Sequence, residues 1–330
     1  MDNINTILPV VRWGILGCGD VTEKKSVPAY QKTEGFEVVA VMRRDAEKVA
    51  DYARRHGVEK YYTDADALIN DPEIDAIYIA TPPDVHKYYA LKVAEAGKIC
   101  CIEKPLAPSY EDCKIIQEAF DTKDIPLFVA YYRRSLPRFE QIKKWLEERS
   151  IGEVRHINWH LSKPTSERDS SSAYNWRTDI RVAPAGYFDD LASHGLDLFV
   201  HFLGHVKQAN GISSNQQGLY TAKDAIVGCW IHENGVTGTG SWNFGTSTRE
   251  DLVTIYGSLG TITFSVFEET NIILRIGDTV TELFIPHPEN VQFYHVQNIR
   301  DHLAGKVTHP SNGLTASHTA WVMDKIIGIK

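Results

Sequence analysis

Short apolar runs alternate with amphipathic segments through the first 130 residues of the chain. Each apolar run is almost continuous, which is typical of strands buried on both faces of a parallel sheet. A segment between two of them begins at Asp45, an N-cap candidate, and ends at Gly57. Strand–helix alternation of this kind predicts right-handed βαβ units and a doubly wound parallel sheet. The predicted strands are Val11–Gly17, Phe36–Met42, Ala76–Thr81, Ile99–Lys104 and Ile125–Tyr131.

The pattern changes after residues 133–152, which indicate a helix ending at Gly152. From residue 153 onward strand-like segments follow one another, at residues 153–162, 224–235, 236–244, 251–265 and 271–286, with turns marked by glycine, asparagine and aspartate. Two helical segments, Val291–Ala304 and Leu314–Ile327, close the chain. We therefore predict a first α/β domain at residues 1–132 and a second, α+β domain at residues 133–330 with a large, mostly antiparallel sheet.

Composition excludes several kinds of partner. The 330 residues are 43% hydrophobic and 24% charged, with a formal net charge of -8, which argues against a nucleic-acid partner. No apolar stretch approaches the roughly 18 residues of a membrane span, and the N-terminal residues lack the basic region of a signal peptide. Five cysteines without a disulfide-scaffold spacing indicate a reducing compartment. We expect a cytoplasmic protein with no membrane partner.

A glycine turn follows the first predicted strand. Gly17-x-Gly19-x-x-Thr22 resembles the dinucleotide fingerprint, in which glycines let backbone N–H groups approach a pyrophosphate. Thr22 replaces the usual third glycine or alanine, and a bare conformational turn is the alternative. We predict a Rossmann domain whose cofactor contacts Gly17, Cys18, Gly19, Asp20 and Val21.

Two arginines follow the second predicted strand, where NAD-binding proteins usually carry an acid for the ribose 2′-hydroxyl. Arg43 and Arg44 cannot accept a hydroxyl proton, but they can pair with a 2′-phosphate. Asp45 is acidic and close, yet it is needed as an N-cap. The pair predicts NADP, with NAD less favoured, and two solvated surface arginines are the alternative.

Lys104 stands where the fourth apolar run ends, in "ICCIEKP". Ligands of open α/β sheets bind at the carboxyl ends of strands, and Pro105 ends the strand because it has no N–H for the ladder. Cys100 and Cys101 have no metal-site spacing and are interpreted as packing residues. This position favours Lys104 as a residue at the edge of the cofactor.

Four polar residues lie on nearly one line of a predicted helix near residue 190. Asp190, His194, Asp197 and His201 are spaced by three or four residues, and apolar residues occupy the opposite side. An aspartate one turn before a histidine can fix its tautomer for proton transfer. A solvated polar face and a zinc site are the alternatives, although no third ligand motif accompanies the pair.

These motifs together resemble one family. "GILGCG", "ATPPDVH", "EKPLA" and "NWRTD…AGYFDDLASHGLD" are similar, in order and over nearly the whole chain, to the glucose–fructose oxidoreductase/inositol dehydrogenase family, especially to its NADP-type members such as 1,5-anhydrofructose reductase or dimeric dihydrodiol dehydrogenase. The resemblance implies that Lys104, Asp190 and His194 are catalytic. It also implies that the cofactor is bordered by Thr81, Pro82, His86 and Glu103. The substrate site that it implies consists of Trp176, Arg177, Asp197 and Tyr132.

The chain departs from the family pattern at three points. Tyr132 stands where members often have asparagine, Ala192 replaces a glycine, and the glycine-rich run before the acid is reduced to "AGYF". These departures bear on substrate identity more than on cofactor binding.

The combined prediction is an enzyme that transfers hydride between nicotinamide C4 and a carbonyl or secondary alcohol of a sugar-like or polyol substrate. Lys104 would stabilise charge on the oxygen, and His194, oriented by Asp190, would deliver the proton. No metal is required, and the family implies a homo-oligomer, a dimer or tetramer. A non-catalytic NADP-binding sensor and an NAD-assisted glycosidase are the alternative functions.

Overall fold

The computed structural model describes residues 10–171 and 173–328, which divide into two compact units. The first unit extends to Glu103 and includes Ile115–Tyr132 and Pro288–Gly313. The second comprises Lys104–Lys114, Arg133–His287 and the segment that begins at Leu314. The chain therefore passes between the units several times, and the boundary predicted between residues 132 and 133 is one of these crossings.

The first unit contains a six-stranded sheet in the order β3-β2-β1-β4-β5-β6, with every neighbouring pair parallel. This confirms the predicted doubly wound sheet. The short edge strand β3 was not predicted, because its three residues, Lys-Tyr-Tyr, form no apolar run. The strands β1 to β6 are Val11–Leu16, Phe36–Met42, Lys60–Tyr62, Ala76–Ile79, Ile99–Ile102 and Leu127–Val129.

Helices follow the predicted segments closely. Asp45 caps α3 by accepting a hydrogen bond from the N–H of Lys48 at 3.0 Å, and Gly57 ends the helix with a φ of 66°. In the described residues, helices α1 to α10 are Asp20–Lys24, Val27–Lys32, Ala46–His56, Ala65–Ile69, His86–Glu95, Tyr110–Asp121, Pro137–Glu147, Tyr187–Leu203, Phe293–Leu303 and Gly313–Ile327. None of the helices described here has the length and apolar character needed to cross a bilayer.

The core of the first unit fills one side of its sheet. Trp13, Tyr30 and Cys101 are fully buried there, and α9 contributes Val296 and Ile299 from far along the chain. Burial of α9 explains why the segment after residue 288 belongs to this unit. Cys100 and Cys101 are both fully buried, in agreement with their interpretation as packing residues.

The second unit contains an eight-stranded sheet in the order β14-β13-β12-β11-β7-β10-β9-β8. Neighbours are antiparallel except β7 and β10, which confirms the mostly antiparallel prediction. The polar strand β8 was not predicted, since its sequence has no regular alternation. Strands β7 to β14 are Val154–Ser162, Val206–Ser214, Ala225–His232, Thr237–Asn243, Glu250–Gly257, Gly260–Phe264, Ile272–Ile276 and Thr279–Leu283.

Helix α8 covers one face of this second sheet. Its Phe188 and Phe199 make edge-on contacts with Trp242 and Trp159, at centroid distances of 4.9 and 5.6 Å. A Cβ at Gly195 would overlap the ring of Trp159, so glycine at this position permits the close approach of helix and sheet. These contacts hold the polar line of α8 in a fixed position.

The opposite face of the sheet carries an exposed row of side chains. Strand register aligns Leu252, His160, Ser241, Val227 and Ile212 across five strands. Val227 is 59% exposed and Ile212 80% exposed, which is unusual for aliphatic residues in a regular sheet.

Candidate active site

The glycine turn combines a left-handed glycine with an uncrowded one. Gly17 has a φ of 104°, and a Cβ there would come within 2.9 Å of the Ala80 carbonyl. Gly19 is the N-cap residue of α1, and a Cβ built on it meets no atom of the described structure within 4 Å. Thr22 fixes the turn because its N–H and its hydroxyl both donate to the Gly19 carbonyl, at 3.0 and 2.7 Å. Thr22 therefore secures the turn by hydrogen bonding.

The side chains of the turn differ in accessibility. Asp20 is exposed and Val21 half-buried in the first turn of α1, whereas Cys18 is buried. Burial raises the pKa of the Cys18 thiol to about 12, so it stays protonated at neutral pH. Only the backbone of Cys18 is thus suited to contact an anionic group.

The two arginines after β2 have different contacts. Arg43 donates from Nη1 to the Cys18 carbonyl at 2.8 Å and so supports the glycine turn. Arg44 is exposed, and its guanidinium has no hydrogen-bond partner among the described residues. Asp45 is occupied as the cap of α3, as predicted.

The end of β4 lies beside the glycine turn. Thr81 Cγ2 is 3.1 Å from the position of a Cβ on Gly17, and the buried Thr81 hydroxyl has no hydrogen-bond partner in the part of the chain described. His86 is fully buried, with Nε2 2.8 Å from the Thr81 carbonyl, and Pro82 between them is exposed. A strained glycine, an open Gly19 and an unsatisfied hydroxyl fit a nicotinamide dinucleotide laid along this edge.

Glu103 directly follows β5, which ends at Ile102, and its side chain is buried. Oε1 accepts hydrogen bonds from the hydroxyl of Tyr78 and, at 2.7 Å, from Nε2 of Gln292 at the start of α9. The side chain is held by its own unit, which fixes the backbone immediately before Lys104.

Lys104 is bound to Asp190 in the second unit. Its ammonium donates to Asp190 Oδ1 at 2.6 Å and to the Asp190 carbonyl at 2.9 Å. The Lys104–Pro105 peptide bond is cis. Lys104 and Asp190, which lie 86 positions apart in the chain, therefore form one ion pair whose side chains are only 11% and 12% exposed.

Arg177 completes the surroundings of Asp190. Its Nε donates to Asp190 Oδ2 at 2.5 Å, and its guanidinium lies 4.4 Å from the centroid of the neighbouring Trp176 ring. Asn175, just before them, donates to Tyr187 Oη at 3.1 Å and thereby ties this segment to the start of α8. Asp190 thus has a cation at each oxygen.

The charge state of Asp190 follows from these contacts. Burial alone would raise its pKa, but the charges of Lys104 and Arg177 and their hydrogen bonds lower that pKa well below the ordinary value. Asp190, His194 and Asp197 are 8%, 6% and 0% exposed, so the alternative of a solvated polar face is wrong. Among the described residues no three His, Cys, Asp or Glu side chains are grouped closely enough to hold a metal.

His194 is contacted by an arginine. Nη1 of Arg133 lies 2.9 Å from Nδ1 of His194, and the imidazole packs edge-on against Phe267 at 5.8 Å. A guanidinium can only donate, so Nδ1 of His194 accepts this hydrogen bond. Asp190 was predicted to orient His194, but its oxygens are bound by Lys104 and Arg177. The hydrogen bond to Nδ1 of His194 comes from Arg133.

Asp197 lies two turns beyond Asp190 and is fully buried. Its two oxygens accept from Nε and Nη2 of Arg134, each at 2.7 Å, and Thr319 donates to Oδ1 at 3.1 Å. Tyr132 is half-buried at the start of the single helical turn that contains both arginines.

Sequence reasoning did not identify Arg133 and Arg134 as partners of the α8 line. A signal was present: two adjacent arginines directly follow a buried strand, in "YYRR", while α8 carries two acids and a histidine on one side. Buried acids need cations, but the pairing of an arginine with a given residue depends on tertiary structure.

Comparison with known proteins finds family matches in both predicted domains. The description "Oxidoreductase family, NAD-binding Rossmann fold" matches residues 11–131, and "GFO/IDH/MocA C-terminal domain" matches residues 139–263. Oxidoreductase P35 of Formosa agariphila is 34% identical over 319 residues, which cover 96% of this chain and 98% of that protein. 1,5-Anhydro-D-fructose reductase of Ensifer adhaerens is 27% identical over 259 residues, which cover 76% of this chain and 74% of that protein.

A solved structure has the same fold over nearly its whole length. Levoglucosan dehydrogenase, in complex with NADH and levoglucosan, superposes with a TM-score of 0.86 at 23% identity, covering 97% of this chain and 96% of that chain. Together, the two family matches and the full-length relative show that the chain belongs to the GFO/IDH/MocA family of NAD(P)-binding oxidoreductases.

Proposed function

We propose that the protein transfers a hydride between an NADP(H) nicotinamide and a carbonyl or secondary alcohol of a sugar-like substrate, with Lys104 and His194 at the reacting oxygen. One observation carries the proposal: Lys104 is held by Asp190 on the helix that also carries His194. A lysine fixed by an ion pair and a histidine fixed by a hydrogen bond, both in the second unit, can stabilise charge that develops on a substrate oxygen.

Nicotinamide supplies a carbon that gives or takes a hydride when the cofactor is bound. The glycine turn, Thr81 and the backbone of Cys18 would hold the cofactor. The guanidinium of Arg44 is exposed and has no partner in the described residues, so it is available to pair with the 2′-phosphate of NADP, which NAD lacks. The other residues of the predicted cofactor border are Pro82, His86 and Glu103. They would shape the same part of the cofactor site, where His86 contacts the Thr81 carbonyl and Glu103 precedes Lys104.

The protein's own residues would bind and orient the substrate. Arg177 and Trp176 offer a cation and an aromatic face beside Asp190, a combination that suits a hydroxyl-rich ligand. Two of the similar proteins are named for sugar derivatives, a 1,5-anhydro-D-fructose reductase and a levoglucosan dehydrogenase. Asp197 and Tyr132 would act on the substrate site indirectly. Asp197 binds Arg134, and Tyr132 directly precedes Arg133 in the same helical turn.

Steady-state turnover tests the function. Purified protein is assayed with NADPH against keto-sugars, deoxy-sugars, inositols and α-dicarbonyls, and in reverse with NADP⁺ and sugar alcohols. With an identified substrate, Lys104→Ala and His194→Ala should each lower kcat by about 10²–10³-fold, as removal of electrostatic groups typically does, with NADPH binding retained. Lys144→Ala, which removes an exposed lysine of α7, is the matched control.

The outcome separates the proposal from its rivals. NADPH binding without turnover of any substrate would instead indicate a sensor, and product formation without net redox change would indicate an NAD-assisted glycosidase. Near-normal turnover in both variants would contradict the roles of Lys104 and His194.

Location and assembly are part of the proposal. All five cysteines are free thiols and four of them are buried, which supports a cytoplasmic protein. The exposed row on the second sheet, with the aliphatic residues Val227 and Ile212, supports a homo-oligomer formed through that face.

A further inference from the structure

We propose that Lys163 and Arg177 form an anion-binding subsite beside Asp190, and that the substrate is a sugar acid, a sugar derivative that carries a carboxylate. This inference rests on the proposed function and names the substrate class within it. It follows from two cations of the second unit whose terminal N–H groups have no hydrogen-bond acceptor among the described residues.

Lys163 directly follows β7 and packs against Tyr187, the first residue of α8. Its Nζ is 3.6 Å from the centroid of the Tyr187 ring and 3.9 Å from Oδ2 of Asp169, and its side chain is only 15% exposed. The distance to Asp169 is too long for a hydrogen bond, and the ammonium donates none to any residue of 10–171 or 173–328. Its three N–H groups are therefore available to an acceptor from outside the chain.

Asp169 does not need Lys163 to satisfy its oxygens. Oδ2 of Asp169 accepts from the backbone N–H and the hydroxyl of Ser166, at 2.9 and 2.7 Å. Oδ1 accepts from the Tyr187 hydroxyl at 2.5 Å and from Nδ2 of Asn175 at 3.3 Å. Burial raises the pKa of Asp169, but its hydrogen bonds lower that pKa below the ordinary value. Neutral donors thus stabilise the carboxylate, and Lys163 is not held by it.

Arg177 also keeps donors for a ligand. Its Nε is bound to Asp190 and its guanidinium lies over the Trp176 ring, but Nη1 and Nη2 donate no hydrogen bond within the part of the chain described. The Arg177 side chain is 35% exposed, so a ligand can reach these two groups. The amino groups of a planar guanidinium match the two oxygens of a carboxylate.

The two cations lie within range of each other's charge. Burial lowers the pKa of Lys163 most, and the positive charges of Arg249 and Arg177 lower it further, whereas Asp169 and Asp190 raise it. Lys163 therefore belongs to the same group of charges as the Arg177–Asp190 ion pair. An anion that contacts both Lys163 and Arg177 would relieve the repulsion between them.

This group of charges has an excess of positive charge. Its three cations and two acids are Lys104, Lys163, Arg177, Asp169 and Asp190. Arg249 is outside the count because Glu268 pairs with it at 2.7 Å. One carboxylate on the substrate would balance the excess, which a neutral sugar would leave uncompensated. A phosphate monoester, with about two negative charges at pH 7, would exceed it.

Isothermal titration calorimetry of the full chain, without cofactor, tests the subsite separately from turnover. The ligands are D-glucuronate, D-galacturonate and D-gluconate, each compared with its neutral parent, D-glucose, D-galactose or D-glucitol. The wild-type protein should bind at least one acid about 10–100-fold more tightly than its parent, as hydrogen bonds to charged groups typically contribute. No preference for any of the three acids would overturn the proposal. Tighter binding of D-glucose 6-phosphate than of every acid would overturn the choice of a carboxylate.

Variants of Lys163 then connect the preference to this subsite. Lys163→Met removes the charge, while its thioether can still pack against the Tyr187 ring. It should lower the preference for the acid by at least about tenfold and leave the affinity for the neutral parent unchanged. Lys163→Arg keeps the charge and should retain the preference. Lys144→Met, at an exposed lysine of α7, is the matched control and should bind as wild type does. An unchanged preference in Lys163→Met would overturn the assignment of Lys163.

The subsite and the proposed function can fail separately in these measurements. A preference for an acid that depends on Lys163, without NADPH oxidation by any substrate, would support the subsite and contradict the proposed hydride transfer. Turnover of neutral keto-sugars by a protein with no preference for acids would support the hydride transfer and overturn the subsite.

Discussion

Asp197 and Arg134 form a two-point ion pair in the interior of the second unit, with both N···O distances at 2.7 Å and neither side chain more than 3% exposed. Asp197 has the spacing of a site residue, and the family resemblance implies a substrate contact. Its two oxygens are instead bound by a guanidinium and a threonine hydroxyl. The pair attaches α8 to the turn that carries Arg133.

Replacing Asp197 by asparagine should therefore destabilise the fold more than it weakens substrate binding. Removal of one partner of a buried ion pair costs about 3–5 kcal/mol, because the other charge is left uncompensated. Urea denaturation measures the free energy of unfolding, and steady-state kinetics measures KM. Glu153→Gln, at an exposed ion pair with Arg149, should cost less than about 1 kcal/mol. An unchanged unfolding free energy with a tenfold higher KM would instead support a direct substrate contact.

The sequence was sufficient for features that depend on local pattern. Continuous apolar runs predicted the parallel strands, and Asp45 and Gly57 marked the ends of α3 where the structure has them. It failed for β3 and β8, which are edge strands with mixed residues and no clear period. Edge strands are stabilised by one neighbour only, so their sequences are less constrained.

The site was predicted in part for a related reason. The i, i+4 spacing suggested that Asp190 would hold His194, but the oxygens of Asp190 bind cations from residues 104 and 177. Helical spacing shows which residues share a face. The residues that pack against that face come from other elements, and a single sequence does not report them.

The ion pairs of Asp190 predict how stability depends on pH. Its pKa in the folded protein is lowered below the ordinary value of about 3.9, so it stabilises the fold above that value. This contribution is lost as pH falls through the acidic range, because the unfolded chain binds the proton first. Asp190→Asn should thus be less stable than wild type by about 3 kcal/mol at pH 7, with a smaller difference near pH 3.

Urea denaturation of both proteins across this pH range measures that difference. Asp66→Asn, at an exposed pair with Lys92, is the matched control and should show little pH-dependent difference. A gap between wild type and Asp190→Asn that stays constant from pH 7 to pH 3 would contradict an ionised, stabilising Asp190.

The two arginines after β2 should have separable effects on the cofactor. Arg44→Ala should lower kcat/KM for NADPH by about 10–100-fold with little effect for NADH, because a charge-assisted contact to a 2′-phosphate is lost. Arg43→Ala should impair both cofactors, since Arg43 holds the carbonyl of Cys18 in the glycine turn. Initial rates with each cofactor give the ratio, and a clear wild-type preference for NADH would contradict the assignment of Arg44.

The exposed row on the second sheet should be an interface between copies of the chain. Val227 and Ile212 lie side by side in register, and a glutamate at either position would place a charge in a packed apolar contact. Val227→Glu should raise the dissociation constant of the oligomer by at least about 100-fold, a change that sedimentation equilibrium measures directly. Tyr61→Glu, at an exposed aromatic residue of β3 in the first unit, should leave it unchanged. If Val227→Glu has the same mass in solution as wild type, the interface lies elsewhere or the protein is a monomer.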